Sequence, residues 1–287
     1  FMDENRQKVA ELDGRFCEAM RDVSEYSIGL AVSGGGDSMA LLVMASKWAE
    51  LFRRDLKVIT IDHHLRSDSR TEADHVKIMA ESLGHSHDIL DWRYEAATGN
   101  FQAAASQARK ELISTWAKRK CIHIVLLGHT ANDQAETFLM RLARGSGVDG
   151  LACMSQSKKL YDIQWFRPLL CFQRKELRYY LNFQKIKWFD DPSNENTRYT
   201  RVKARKVLKE LEILGIKQRV FLETAEKMDK AKEVLNNVAR EAGDQYLRLR
   251  EWGDIEVERK LFDVTKQETY LRLLAHVIKS ISGNIYR

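Results

Sequence analysis

Apolar positions in the first half of this chain switch repeatedly between two spacings. Ser27–Val32, SIGLAV, is a short apolar run that predicts a buried strand, and Ser38–Phe52 repeats its apolar residues at helical spacing. Lys57–Ile61, KVITI, predicts a second strand, followed by a helix at about Thr71–Leu83. His87–Leu90 predicts a short third strand, about Phe101–Lys118 a helix, Ile122–Leu127 a fourth strand, and about Asn132–Ala143 a further helix. Strands alternating with helices of this length indicate βαβ units and a buried parallel sheet. From about Gly215 the strand signals nearly vanish and helical periodicity takes over, including Thr269–Ile281, with a short hairpin near Gly253–Val257. The pattern predicts an α/β fold: a Rossmann-like parallel sheet at residues 1–213, then a small, mostly helical domain at 214–287.

Ligands of such sheets bind beyond the carboxyl ends of the strands. Three polar segments fall there: Ser33–Ser38, Asp62–Leu65 and Gly128–Asp133. Composition narrows the field. The 287 residues are 44% apolar and 31% charged, which suits a soluble globular chain with a sizeable core. No apolar run reaches the ~18 residues of a membrane span, and the opening residues FMDENRQKV are too polar for a signal peptide. Cys17, Cys121, Cys153 and Cys171 lie far apart with no CxxC pair, so a cytoplasmic location is expected and a zinc or iron–sulfur centre is not. The net charge is only +6, yet Lys158–Lys209 carries 14 Lys and Arg against 5 Asp and Glu. Trp165, Phe166, Tyr179, Tyr180, Trp188, Phe189 and Tyr199 are interleaved with those charges. The segment reads either as a solvated face with its own core aromatics or as a polyanion-binding surface.

LAVSGGGDSMALL, Leu30–Leu42, carries the first candidate chemistry. A Walker loop needs GxxxxGK[ST], and no lysine follows; the dinucleotide fingerprint GxGxxG fails because Met39 holds its third glycine position. What remains is SGGGDS between strand and helix. Glycines let successive backbone N–H groups converge on an anion, and the helix start adds partial positive charge. Ser33 and Ser38 offer hydroxyl donors. Asp37 among phosphates would repel them unless a divalent cation intervenes, so Mg²⁺ is expected. The plainer alternative makes Asp37 or Ser38 a helix cap in a glycine turn. The motif resembles the pyrophosphate loop of the N-type ATP pyrophosphatases, and the resemblance implies ATP as substrate, held by Ser33, Gly34, Gly35, Gly36, Asp37 and Ser38.

A second segment is GHTANDQAETFLMRLARGSGVDGLACM, Gly128–Met154. On a helical wheel Ala135, Phe138, Leu139 and Leu142 share one face, with Asp133, Glu136, Thr137, Met140 and Arg144 opposite. Asp133 and Glu136 are one turn apart, so both carboxylates can meet a cationic amine or take up its proton. A bland acidic first turn complementing the helix dipole is the competing reading. The segment closely resembles the signature of tRNA(Ile)-lysidine synthases. WFDDPSNENTRYTRVKARKVL, Trp188–Leu208, resembles their DPSN…R…R element, and NFQAAASQARK, Asn100–Lys110, and DHHLR, Asp62–Arg66, resemble two further motifs.

The resemblance spans roughly residues 27–210 and carries definite implications. The family uses ATP to adenylate the carbonyl of the wobble cytidine in the CAU anticodon of tRNA(Ile), after which the ε-amine of L-lysine displaces AMP. Asp37, Asp133 and Glu136 would be catalytic, Asp37 the metal ligand, and Asp133 with Glu136 the lysine site. Arg109 would join the ATP site, and Arg198, Arg201 and Arg205 would meet the tRNA, with aromatics of the basic segment stacking a splayed base. No membrane partner is implied; a homodimer is one expectation for the assembly. Family members usually have aspartate where this chain has Asn132 and arginine where it has Ser106. Longer members carry a further small domain, so a shortened C-terminus is expected of a chain ending SGNIYR. Two alternatives remain beside this reading: another PP-loop tRNA-modifying or amidating ligase, and a catalytically inactive tRNA-binding homologue. His63 and His64 read as a strand-end loop rather than metal ligands, and His129 is ambiguous between loop structure and site.

Overall fold

The computed structural model describes residues 2–62, 69–92, 101–190 and 200–282. In chain order the elements are α1 (Met2–Ala19), β1 (Ser27–Ala31), α2 (Gly36–Phe52), β2 (Asp55–Asp62), α3 (Ser69–Ser82), β3 (Ser86–Asp91) and α4 (Phe101–Arg119). There follow β4 (Ile124–Leu127), α5 (Ala131–Leu142), α6 (Val148–Leu151), β5 (Ser157–Leu160), β6 (Ile163–Phe166), α7 (Arg174–Phe183) and α8 (Thr200–Ile213). The chain ends with α9 (Gln218–Tyr246), β7 (Leu247–Leu249), β8 (Ile255–Val257), α10 (Lys260–Val264) and α11 (Gln267–Ser282).

The six-stranded sheet runs β3-β2-β1-β4-β6-β5 and is parallel except for the edge strand β5, which pairs antiparallel with β6. Its central strands read as continuous apolar runs because both faces are covered. On one face Ile28, Leu30, Leu56, Val58, Ile124 and Leu126 pack into a core with residues of α1, α2 and α7. On the other, Ala31, Ile59, Val125, Leu127 and Trp165 pack against Ile113, Trp116 and Ala117 of α4. β1 has β2 on one side and β4 on the other, so successive crossovers diverge at the β1–β4 pair. A crevice opens at the carboxyl ends of such a pair.

Structure changes the reading of the basic segment. Trp165 and Phe166 are buried on β6, and Tyr180 is buried on α7. Trp188 packs against the core, and the Phe189 ring meets His75 edge-on. Trp165, Phe166 and Tyr180 fill the interior because β6 and α7 each turn an apolar face to it, so these three are not available to stack a base; Trp188 and Phe189, beyond α7, are half-buried. Tyr199 lies outside the described residues, as do His63, His64, Arg198 and the DPSN residues.

The chain divides into two units. One runs through Met140 and includes Met154–Gln218; the other joins Arg141–Cys153 to the chain from Arg219 onward. Compared with the expected division at 213/214, the helical unit begins slightly later and takes in the GSGVDG segment. Within that unit Arg272 bonds Asp149, Asn236 and Glu268, while Ala242, Leu261 and Leu273 form a small core. The hairpin β7–β8 turns near Gly253, whose φ is +85°. Among the described residues no helix is long and apolar enough to cross a membrane.

Candidate active site

The glycine loop follows β1. Gly34 has φ +86°, a conformation that side chains with a Cβ rarely adopt. α2 begins at Gly36, and N–H groups of a first turn have no acceptor within their own helix. The loop is held from both sides. Ser38 Oγ accepts the Ser33 N–H at 3.1 Å, donates to the Gly35 carbonyl at 2.9 Å, and lies 3.1 Å from Ser33 Oγ. The Phe189 N–H donates to the Gly34 carbonyl at 3.1 Å. Across β4, a Cβ added at Gly128 would lie 3.1 Å from Ser38 Cα, so the two strand-end loops approach as closely as glycine permits. Gly34→Ala is expected to cost about 1–2 kcal/mol through the forced left-handed backbone, read as a lower urea midpoint. An unchanged midpoint would mean that the loop re-forms without that conformation.

The two acids on α5 lie in the same place. Arg174, the first residue of α7, donates Nε–H to Asp37 Oδ2 at 3.0 Å, an Nη2 hydrogen to Asp133 Oδ1 at 2.6 Å, and an Nη1 hydrogen to Glu136 Oε1 at 2.8 Å. Asp133 Oδ2 accepts from the Thr130 N–H at 2.8 Å and the Thr130 hydroxyl at 2.9 Å. Glu136 Oε1 also accepts from Arg205 Nε at 2.9 Å. Asp133 and Glu136 are buried, unlike the open polar face drawn on a helical wheel, because the arginines of α7 and α8 cover them. Leu142, expected on the apolar face, is exposed. Asp37 is not a helix cap: one oxygen serves Arg174, and the other is buried with no hydrogen-bond partner among the described residues.

Burial pushes the Asp37 carboxyl above the usual carboxylate range, although Arg174 opposes it. Burial would raise Asp133 too, but Arg174 and the Thr130 donors reverse this and hold it below that range. Burial works against the Arg174 charge; Asp133, Glu136 and Asp37 outweigh it and keep the guanidinium firmly protonated.

Sequence reasoning missed Arg174 and its neighbour one turn on, Arg178. Leu177, Tyr180 and Leu181 anchor the inner face of α7 in the core, which turns both arginines toward the loop. A Cβ at Gly36 would come within 2.6 Å of Arg178 Nε, so this side chain lies directly on the glycine loop. Arg178 Nε is buried without a partner among the described residues, while Nη2 reaches Asp190 at 2.9 Å. The start of α7 is fixed as well. Asn132 Oδ1 accepts the Arg174 N–H at 2.9 Å, and the Phe172 carbonyl accepts the Ala131 N–H at 2.9 Å. That position needs an oxygen acceptor, which asparagine supplies as aspartate would. Ser106 is exposed on α4.

Arg109 and Arg201 lie close enough to His129 to act on its charge. So does Arg167, a third arginine missed in the sequence, whose Nη1 donates to the Ser155 carbonyl at 3.0 Å. His129 is held neutral down to about 4, chiefly by burial and further by these three arginines, with Asp133 opposing. In the unfolded chain the imidazole takes its proton near pH 6.5. Its contribution to stability is therefore complete above that pH and is lost as pH falls toward 4. The slope of unfolding free energy should approach about 1.4 kcal/mol per pH unit in this window, and His129→Gln should flatten it. A slope unchanged by the substitution would assign the acid sensitivity to other groups.

The chain's residues fit a magnesium ion shared with phosphate. The buried, unpartnered Asp37 oxygen is a hard ligand beside an anion-binding loop, and Mg²⁺ typically takes one or two carboxylates plus phosphate oxygens. Among the described residues no group of three or more His, Cys, Asp or Glu is placed to hold a metal by itself.

The sequence matches the PP-loop domain family over residues 8–211. It is 40% identical to the tRNA(Ile)-lysidine synthase of Ruegeria pomeroyi over 90% of this chain and 62% of that protein. To the tRNA(Ile)-lysidine synthase of Bradyrhizobium diazoefficiens it is 36% identical, over 90% of this chain and 74% of that protein. The chain spans less than two thirds of the length of the Ruegeria protein and of several other such relatives. In fold it is similar to the U34-tRNA thiolase NcsA of Methanococcus maripaludis, with TM-score 0.70 and 15% identity over 80% of both chains.

Proposed function

The chain belongs to the tRNA(Ile)-lysidine synthase family of PP-loop proteins, and on that premise we propose that it joins L-lysine to the wobble cytidine of a CAU-anticodon tRNA(Ile). The cytidine carbonyl oxygen takes the AMP moiety of ATP as pyrophosphate leaves, and the lysine ε-amine then displaces AMP. One observation carries the reading: the glycine loop and the two acids of α5 meet on a single guanidinium, so nucleotide and amine can be brought over one base.

Ser33–Ser38 and the start of α2 hold the triphosphate through backbone N–H groups, with Arg178 and Arg109 supplying positive charge. Asp37 is the metal ligand; a bound magnesium ion would offset charge building on the phosphate oxygens. Asp133 and Glu136 receive the lysine ε-ammonium, which must lose a proton before it can attack, and a facing carboxylate is the nearest acceptor. Arg201 is left to meet the RNA backbone, whereas Arg205, also expected there from the sequence, is committed to Glu136; Arg198, expected with them, lies outside the described residues. The reaction belongs in the cytoplasm, in keeping with four free cysteines.

Purified protein should release pyrophosphate from ATP only when Mg²⁺, lysine and the CAU-anticodon tRNA(Ile) are all present. Full-rate release without lysine would contradict the assignment and favour a PP-loop ligase with another acceptor. Salt-sensitive tRNA binding without any pyrophosphate would favour an inactive RNA-binding homologue.

A further inference from the structure

The carboxylates assigned to the amine are already occupied. All three guanidinium nitrogens of Arg174 are spent on acids: Nε on Asp37, Nη2 on Asp133 and Nη1 on Glu136, at 3.0, 2.6 and 2.8 Å. The remaining Asp133 oxygen is taken by Thr130, and Arg205 lies on both oxygens of Glu136, at 2.9 and 3.5 Å. Asp133 and Glu136 have lone pairs to spare, but an ammonium reaching them while Arg174 stays would lie directly against its guanidinium. Arg174 is itself a cation, so exchanging it for an ammonium conserves the local charge, whereas adding the ammonium beside it would set like charges together.

An anion placed next to it can draw Arg174 away. Its Nε already touches Asp37 in the first turn of α2, and Arg178, one turn further along α7, lies over Gly36 with a buried Nε that has no hydrogen-bond partner among the described residues. Phosphate oxygens, like carboxylates, accept a planar guanidinium in bidentate fashion, and a triphosphate carries more negative charge than a single carboxylate. We propose that Arg174 is a positioning residue that occupies the ammonium's place on Asp133 and Glu136 until a triphosphate on the glycine loop takes its guanidinium, so that nucleotide binds before the amine. The inference rests on the reading of Ser33–Ser38 as the triphosphate site and of Asp133 with Glu136 as the lysine site. It also explains why one arginine spans loop and acids: the same side chain senses the first substrate and releases the site for the second.

Equilibrium dialysis of radiolabelled lysine against the whole chain, with and without a non-hydrolysable ATP analogue and Mg²⁺, tests the exchange. Wild-type protein should bind lysine about tenfold or more tightly with the analogue, and lysine should tighten analogue binding by the same factor. Arg174→Met and Arg174→Gln should bind lysine with little dependence on the analogue, their coupling falling to about unity, while circular dichroism reports that they are folded. Should neither variant fold, the wild-type measurement decides alone. Lysine binding to wild-type protein that ignores the analogue, or coupling that survives in the folded variants, overturns the exchange and leaves the lysine assignment standing. Absence of lysine binding in either state contradicts the lysine assignment and the exchange built on it.

Discussion

Asp37→Ala is expected to abolish pyrophosphate release and leave the protein folded. Asp37 is the acid of the glycine loop, and its Oδ1 is buried without a partner among the described residues. α2 begins at Gly36 behind the Gly35 cap with no side-chain cap bond, so the helix does not depend on this carboxylate. Arg174 would keep two of its three acids, Asp133 and Glu136. Electrostatic stabilisation by a bound divalent cation is worth several kcal/mol, so the rate should fall by at least about 10³-fold. Asp37→Asn keeps the shape and an acceptor for Arg174 but loses the charge, and should fall nearly as far. A pyrophosphate-coupled assay reads the rate and thermal melting reads the fold. Retained turnover in Asp37→Ala would remove the residue from the metal role.

Glu136→Gln has the second large effect, and it appears in two readouts. The side chain is 2% exposed, between Arg174 at 2.8 Å and Arg205 at 2.9 Å. Removing one member of a buried charge cluster strands its partners, a loss of about 3 kcal/mol or more. Thermal melting should therefore shift down clearly. In kinetics the lost charge falls on the amine: the KM for lysine should rise roughly 10²-fold, the usual cost of breaking a buried charged contact. The KM for ATP should change little, since the glycine loop keeps its own contacts. Equal rises in both constants would make Glu136 a structural acid. Combining Glu136→Gln with Arg205→Gln should recover part of the stability, because one stranded cation is removed with its acid.

The sheet was legible because its strands are covered on both faces and therefore read as apolar runs bounded by polar loops. The loop and the two acids were legible because glycine after a strand and paired carboxylates at helical spacing have few other uses. Arg174 was not. Its partners lie 137, 41 and 38 residues away, and nothing local marks it among the 14 cations of its segment. Only the pinning of α7 against α5, through Asn132 and Phe172, chooses it. The same segment hid β5, β6 and α7, because charge patterning masked their short apolar faces; Trp165 and Tyr180 turned out to be core. α1 was overlooked for a similar reason. Val9, Leu12, Phe16 and Met20 are buried at helical spacing, but mostly charged and polar residues separate them.

The proposed function depends on ATP cleavage and amine transfer sharing the crevice at the ends of β1 and β4. Incubation with radiolabelled lysine, ATP, Mg²⁺ and total tRNA reads that directly, with label and pyrophosphate counted together. The account predicts label in a single tRNA, the CAU-anticodon tRNA(Ile), in equal amount to the pyrophosphate released, and none of either with Asp37→Ala. Pyrophosphate released with no lysine entering any tRNA would contradict it.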